Sequence, residues 1–264
     1  MPLIDPTAKQ SIFEKFYHYQ PFNKDHLIVM LKEQKLFFSD PHNVNDPWDC
    51  KPWFDYRTLL EDPAKREEMI TFLRLAAPHL EDHPLRPYYE DRIRTNDAEL
   101  RNAVEMSSSL LIKQIAERRI YCLTPFPDST LMWSHYAANH RGLCLEFDKN
   151  NPLIEKARPV RYRKTYPVWT PLSALNDPLE VVFTKSMDWS YEREFRILAS
   201  SLDGPLKLYD NFVLLPAGAL TSIIVGCESK DYAEVLTIVS EHMPLVSMKR
   251  IVRSPNEYKL QIEE

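Results

Sequence analysis

Residues 133–142, WSHYAANHRG, set two imidazoles, a phenol, an amide and a guanidinium beside a glycine within ten positions. A histidine near a helix end and an asparagine at its stop are ordinary. The density of different hydrogen-bonding groups is not, because a turn needs only one or two of them. His135, Tyr136, Asn139, His140 and Arg141 are therefore expected to form one wall of a binding or catalytic corner. Arg141 is its anion contact, since a guanidinium grips phosphate through two prongs. A second stretch, residues 188–196, reads DWSYEREFR. If a strand begins by Tyr191, then Glu192, Glu194 and Arg196 project from one face. Two close carboxylates raise one pKa and split acid and base roles, while the arginine keeps one of them ionised. An edge strand with its charges turned outward explains the same letters. In residues 39–49, SDPHNVNDPWD, Asp40, Asp46 and Asp49 could ligate a hard cation. The order lacks a calcium-loop pattern and Asp-Pro is first a turn sequence, so no metal is expected. Trp48 and Trp53 are expected to plug the core rather than stack on a base.

These groups need a scaffold. Residues 16–19 (FYHY) read as a strand, Asn23 caps a helix to about Gln34 with Leu27, Met30 and Leu31 on one face, and residues 36–38 read as a second strand. From about 62 to 119 the pattern is helical: Met69, Phe72, Leu73 and Leu75 in one segment, Leu110, Leu111 and Ile115 in another, with a Pro-rich spacer between. Residues 120–123 return to strand, Asp128 or Ser129 caps a short helix, and 143–147 alternate as a strand. WSHYAANHRG thus spans a helix end and the turn into a strand, where Asn139 and Gly142 tolerate positive φ. Residues 181–184 and 195–198 read as strands. Residues 223–226, a helix over 231–241 and a strand over 258–262 form a β-α-β unit.

Composition bounds the function. The chain has 264 residues, a formal net charge of −5 and only four glycines, so neither a global basic field nor a glycine-built phosphate cradle is available. There is no GxGxxG, Walker loop, G-x-S-x-G elbow or HExxH. No apolar run is long enough to span a membrane, and the start MPLIDPTAKQSIF lacks a signal-peptide plan, so a cytoplasmic place without membrane partners is expected. The four scattered cysteines read as reduced, mostly buried thiols.

Four blocks carry a family resemblance: Tyr17-His18-Tyr19, LFFSDPHNVNDPWD, LMWSHYAANHRGLCLEFD and WSYEREFRI. Together they resemble the bacterial domain-of-unknown-function family 2971. Some of its members resemble abortive-infection proteins, which implies a phage-defence setting. The order FYHYQ, helix, LFFSD and finally Glu192-Arg193-Glu194 also resembles, at fold level, the ADP-ribosyltransferases. That resemblance implies NAD as substrate, with His18 on its ribose and Tyr136 or Trp133 stacked on nicotinamide. It also implies that Glu194 stabilises an oxocarbenium-like transition state. Tyr19 and Ser39 lie in its binding strands.

The resulting expectation is an α+β protein, a single domain over 1–264 with a mixed or antiparallel central sheet, a helical insertion at about 58–119 and a C-terminal β-α-β unit. Its leading function is a nucleotide-directed enzyme with Glu194, Glu192 and His135 catalytic. Binding falls to His18, Tyr19, Ser39, Trp133, Tyr136, Asn139, His140, Arg141 and Arg196. The partner is a nucleotide or other small ligand, with a protein or nucleic acid as acceptor. The alternatives are a noncatalytic sensor built on the same corner and a metal-dependent hydrolase built on the Asp40/Asp46/Asp49 loop.

Overall fold

The computed structural model describes residues 13–263 apart from Pro178 and residues 202–205. The opening segment, residues 1–12, lies outside the described residues. In chain order come β1 (Lys15–Gln20), α1 (Lys24–Lys32) and β2 (Lys35–Phe37), then the helices α2 (Tyr56–Glu61), α3 (Pro63–Ala76), α4 (Arg86–Thr95) and α5 (Asp97–Ala116). Next are β3 (Arg118–Leu123), α6 (Thr130–Tyr136), β4 (Leu143–Asp148), β5 (Arg158–Pro159), β6 (Arg161–Arg163), α7 (Pro171–Asn176) and β7 (Thr184–Ser186). A 3-10 helix, Met187–Glu192, leads into β8 (Phe195–Ser200), followed by β9 (Phe212–Leu214), β10 (Leu220–Val225), α8 (Tyr232–His242), β11 (Ser247–Arg253) and β12 (Leu260–Glu263).

The chain divides into two compact units: residues 1–39, 119–161 and 188–264 form the first, residues 40–118 and 162–187 the second. The first unit is built on a five-stranded sheet in the order β1-β4-β10-β11-β12. The β10–β11 pair is parallel and the β1–β4, β4–β10 and β11–β12 pairs are antiparallel, so the sheet is mixed and the fold is α+β. Period-two alternation decides what each face of β4 meets. Leu143, Leu145 and Phe147 enter a core with Leu27 and Leu31 of α1 and Val235 and Val239 of α8. Cys144 enters the opposite core with Tyr17, Tyr19, Ile224, Ile251 and the α6 residues Met132 and Trp133. α1 forms where its sequence signals put it, because the Asn23 side chain accepts from the His26 N–H at 3.0 Å. The β3-β8-β5 and β2-β9 sheets complete the unit.

Several expectations are corrected here. The β-α-β unit closes on β11, not on residues 258–262; those residues lead into β12, which adds antiparallel to β11. The letters SMKRIVR of β11 are too polar to have announced a strand beside the core. In the second unit, α4 occupies part of the supposed Pro-rich spacer and its Ile93 joins Met69, Ile70, Leu100 and Val104 in the core. Leu75 and Leu110, read as core positions, are exposed. Residues 181–183 belong to a 3-10 helix, with β7 starting only at Thr184. Trp48 and Trp53 do not plug the core: they are 59% and 47% exposed. Trp53 instead stacks on Tyr166 with ring centroids 6.2 Å apart. Of the cysteines, all free, Cys50 and Cys144 are buried and Cys122 and Cys227 only partly so.

Candidate functional site

Helix α6 starts where Ser129 accepts from the Met132 N–H, and one turn later it divides its residues between core and surface. Trp133 is fully buried and its Nε1 donates to the Pro127 carbonyl oxygen at 2.8 Å. It therefore serves the core, and the expected stacking of Trp133 on a ligand ring is corrected by its lack of any accessible face. His135 and Tyr136 turn toward the 3-10 helix Met187–Glu192. The Tyr136 hydroxyl donates to Glu192 Oε1 at 2.5 Å. Glu192 is buried, so this hydrogen bond lies away from bulk water. His135 Nδ1 and the Tyr191 hydroxyl are hydrogen-bonded at 3.0 Å. The His135 ring also stands edge-on to Trp189 and Tyr191 at centroid distances of 6.2 and 6.1 Å, and Trp189 lies 6.1 Å from Tyr191. Three rings, none of them fully buried, thus cluster beside the Tyr136–Glu192 pair.

Glu192 and Glu194 take different hydrogen-bond partners. The strand begins at Phe195 rather than Tyr191, and Arg193 has φ +47°, which breaks the alternation between them. Glu194 goes to Arg196 instead: Nε to Oε1 at 2.6 Å and Nη2 to Oε2 at 2.9 Å, both residues buried. Such a two-pronged pair satisfies both oxygens and fixes the start of β8. Arg193 itself is exposed, its guanidinium 4.7 Å over the Phe126 ring.

The second half of WSHYAANHRG points elsewhere. Ala138, Asn139 and His140 have φ of +48°, +54° and +65°. Left-handed backbone costs a residue other than glycine or asparagine roughly 1–2 kcal/mol, so the run must be held by its surroundings. The His140 carbonyl accepts from the Glu228 N–H and the Gly142 carbonyl from the Gly226 N–H, each at 3.0 Å. Both glycines are required for close approach: a Cβ at Gly142 would lie 2.3 Å from the Gln20 carbonyl oxygen, and one at Gly226 would lie 2.1 Å from that of His140. Positive φ at Gly142, expected from sequence, is not its role. Asn139 and Arg141 are exposed, and burial lowers the pKa of His140 despite the nearby Glu228.

Residues 132–197 match a family described as Protein of unknown function (DUF2971). The DUF2971 match begins within α6 and ends within β8. It thus takes in the third and fourth resemblance blocks, with His135, Tyr136, Glu192, Glu194 and Arg196, and leaves His18, Tyr19 and Ser39 outside. No curated protein and no solved structure matches the chain. The ADP-ribosyltransferase resemblance draws no support from these comparisons.

The sequence-predicted residues outside the match are held by local contacts. His18 stacks on Tyr121 at 4.2 Å, and its Nδ1 lies 2.7 Å from the Cys122 carbonyl oxygen, which can only accept. Burial lowers its pKa to about 4, with the Cys122 bond acting against that. The Tyr19 hydroxyl donates to the Phe126 carbonyl, and Ser39 exchanges backbone hydrogen bonds with Ile120. In the Asp loop, Asp40 caps a 3-10 turn and bonds His42, Asp46 accepts from the Trp48 N–H, and Asp49 lies 3.7 Å from Lys185. Among the described residues no three His, Cys, Asp or Glu side chains gather as a metal ion needs. No described helix is long and apolar enough to cross a membrane.

Proposed function

We propose that the 132–197 region is a nucleotide site that cleaves the bond between base and ribose, with NAD as substrate and Glu192 as the working carboxylate. The observation that carries this reading is the Tyr136–Glu192 hydrogen bond beside the clustered rings of His135, Trp189 and Tyr191. A planar base stacks on such rings, and indole and phenol offer a large face at little entropic cost. As the glycosidic C–N bond breaks, its electron pair leaves with nicotinamide and positive charge develops on the ribose. A held carboxylate stabilises that charge better than water, because its environment is already organised. Water or an acceptor's nucleophile then adds to the sugar carbon and loses its proton.

In this reading Glu194 and Arg196 are positioning residues that fix the backbone following Glu192, and His135 orients Tyr191 rather than meeting the sugar. The order of importance among the carboxylates is thus the reverse of the one the ADP-ribosyltransferase resemblance implied. The experiment is a product analysis: the full chain is incubated with NAD and free nicotinamide is separated by chromatography. Release that falls ~100-fold or more in Glu192→Gln supports the reading. Trp189→Ala is expected to raise KM more than it lowers kcat. An absence of release, with and without cell lysate as a source of acceptor, would refute cleavage and favour a noncatalytic nucleotide sensor.

A further inference from the structure

The first unit holds a cleft of about 690 Å³ that the DUF2971 match leaves outside, apart from His140. One wall carries His140, Cys227 and Glu228, and the other is the β11–β12 hairpin with Arg253, Tyr258 and Lys259. The volume suits a small organic ligand. The left-handed run 138–140, clamped to the 226–228 backbone, holds the His140 ring in the first wall. There its Nδ1 is buried with no hydrogen-bond partner among the described residues. A buried polar atom left bare is uncommon and calls for an explanation, and backbone strain concentrates at ligand sites.

We propose that this cleft is a second small-molecule site, one that takes a nucleoside monophosphate whose base bears an exocyclic amine. The two walls divide the chemistry. Arg253 and Lys259 on the hairpin meet the phosphate, and Tyr258, fully exposed, offers its ring to the base. Across from them the Glu228 carboxylate, beside the His140 ring, accepts from the base amine, the contact by which acidic side chains read amino-bearing bases. Arg253 and Glu228 face each other at 3.5 Å, both well exposed, so the pair spans the mouth weakly and yields to a ligand. Burial lowers the His140 pKa, which favours the neutral imidazole. The site is independent of the NAD reading, because its lining includes neither Glu192 nor Tyr136.

The test titrates the full chain with AMP by calorimetry, with ¹³C-labelled histidine rings followed by NMR. Saturable one-to-one binding is expected, with one imidazole resonance moving and that resonance missing in His140→Asn, a variant whose asparagine tolerates positive φ. Arg253→Ala combined with Lys259→Ala should weaken binding ~10-fold or more, and UMP, whose base has no exocyclic amine, should bind ~10-fold more weakly than AMP. No saturation with AMP, equal affinity for AMP and UMP, or indifference to the double variant would each overturn the proposal.

Discussion

Gly226→Ala tests whether the left-handed run at 138–140 is held by its neighbours. The added Cβ would sit 2.1 Å from the His140 carbonyl oxygen and 2.6 Å from its carbonyl carbon, where both obstacles are backbone and cannot swing aside. The 226–228 turn must therefore retreat by about 1 Å, since real carbon–oxygen contacts lie beyond roughly 3 Å. That retreat breaks the Glu228 N–H bond to His140 and the Gly226 N–H bond to Gly142. Two net hydrogen bonds at about 1 kcal/mol each, plus about 1–3 kcal/mol for overpacking, predict a loss of about 3–5 kcal/mol. For a chain of this size that is a fall in Tm of roughly 6–20 °C. Urea unfolding followed by far-UV circular dichroism, with a scanning-calorimetry check of cooperativity, measures it. A variant within about 0.5 kcal/mol of the parent would show that the turn relaxes freely, and the clamp argument would fail.

Tyr136→Phe removes one hydrogen-bond donor from a buried carboxylate and is expected to destabilise by about 1–3 kcal/mol in the same urea assay. Arg196→Met should cost about 3–5 kcal/mol by removing the two-pronged counter-charge of buried Glu194, whereas adding Glu194→Gln to it should recover part of that loss; a double variant worse than the single would contradict the pairing. The His18 contribution to pH dependence has a definite sign. Its folded pKa of about 4 lies below the ordinary value of 6.5, so the unfolded chain takes up a proton first as pH falls. The His18 term is therefore absent above pH 7 and removes about 2–3 kcal/mol of stability between pH 6.5 and 4. His18→Phe, which keeps the stack on Tyr121, should flatten that slope in urea midpoints measured at pH 7, 5.5 and 4.5.

What the sequence revealed follows the range of the physics involved. α1, the Ser129 start of α6 and the strands at 15–20, 118–123, 143–148 and 195–200 were legible because caps and alternation act over a few residues. The β11 strand was not, since its place beside β10 comes from a parallel crossover and its own letters are mostly polar. At the site, the two informative stretches were visible by their density of functional groups. Their division was not: nothing in WSHYAANHRG tells that His135 and Tyr136 face Glu192 and Tyr191 while His140 faces the β11–β12 hairpin, because that depends on a left-handed run enforced by Gly226, some 86 positions away. Trp189 and Tyr191 stood in the quoted stretch but had no assigned role, and the hairpin residues Arg253, Tyr258 and Lys259 gave no local signal at all. The inward turn of Glu194 to Arg196 was foreseen as adjacency, yet its consequence, that Glu194 is tied up and Glu192 is the carboxylate beside the rings, required coordinates.

The most direct test of the central claim compares Glu192→Gln with Glu194→Gln by proton NMR of nicotinamide released from NAD, with NAD affinity and Tm measured on the same samples. The account predicts that Glu192→Gln loses release while keeping NAD affinity, and that Glu194→Gln loses release only in proportion to a lowered Tm. Release that survives in Glu192→Gln, or that vanishes in a fully stable Glu194→Gln, would contradict it.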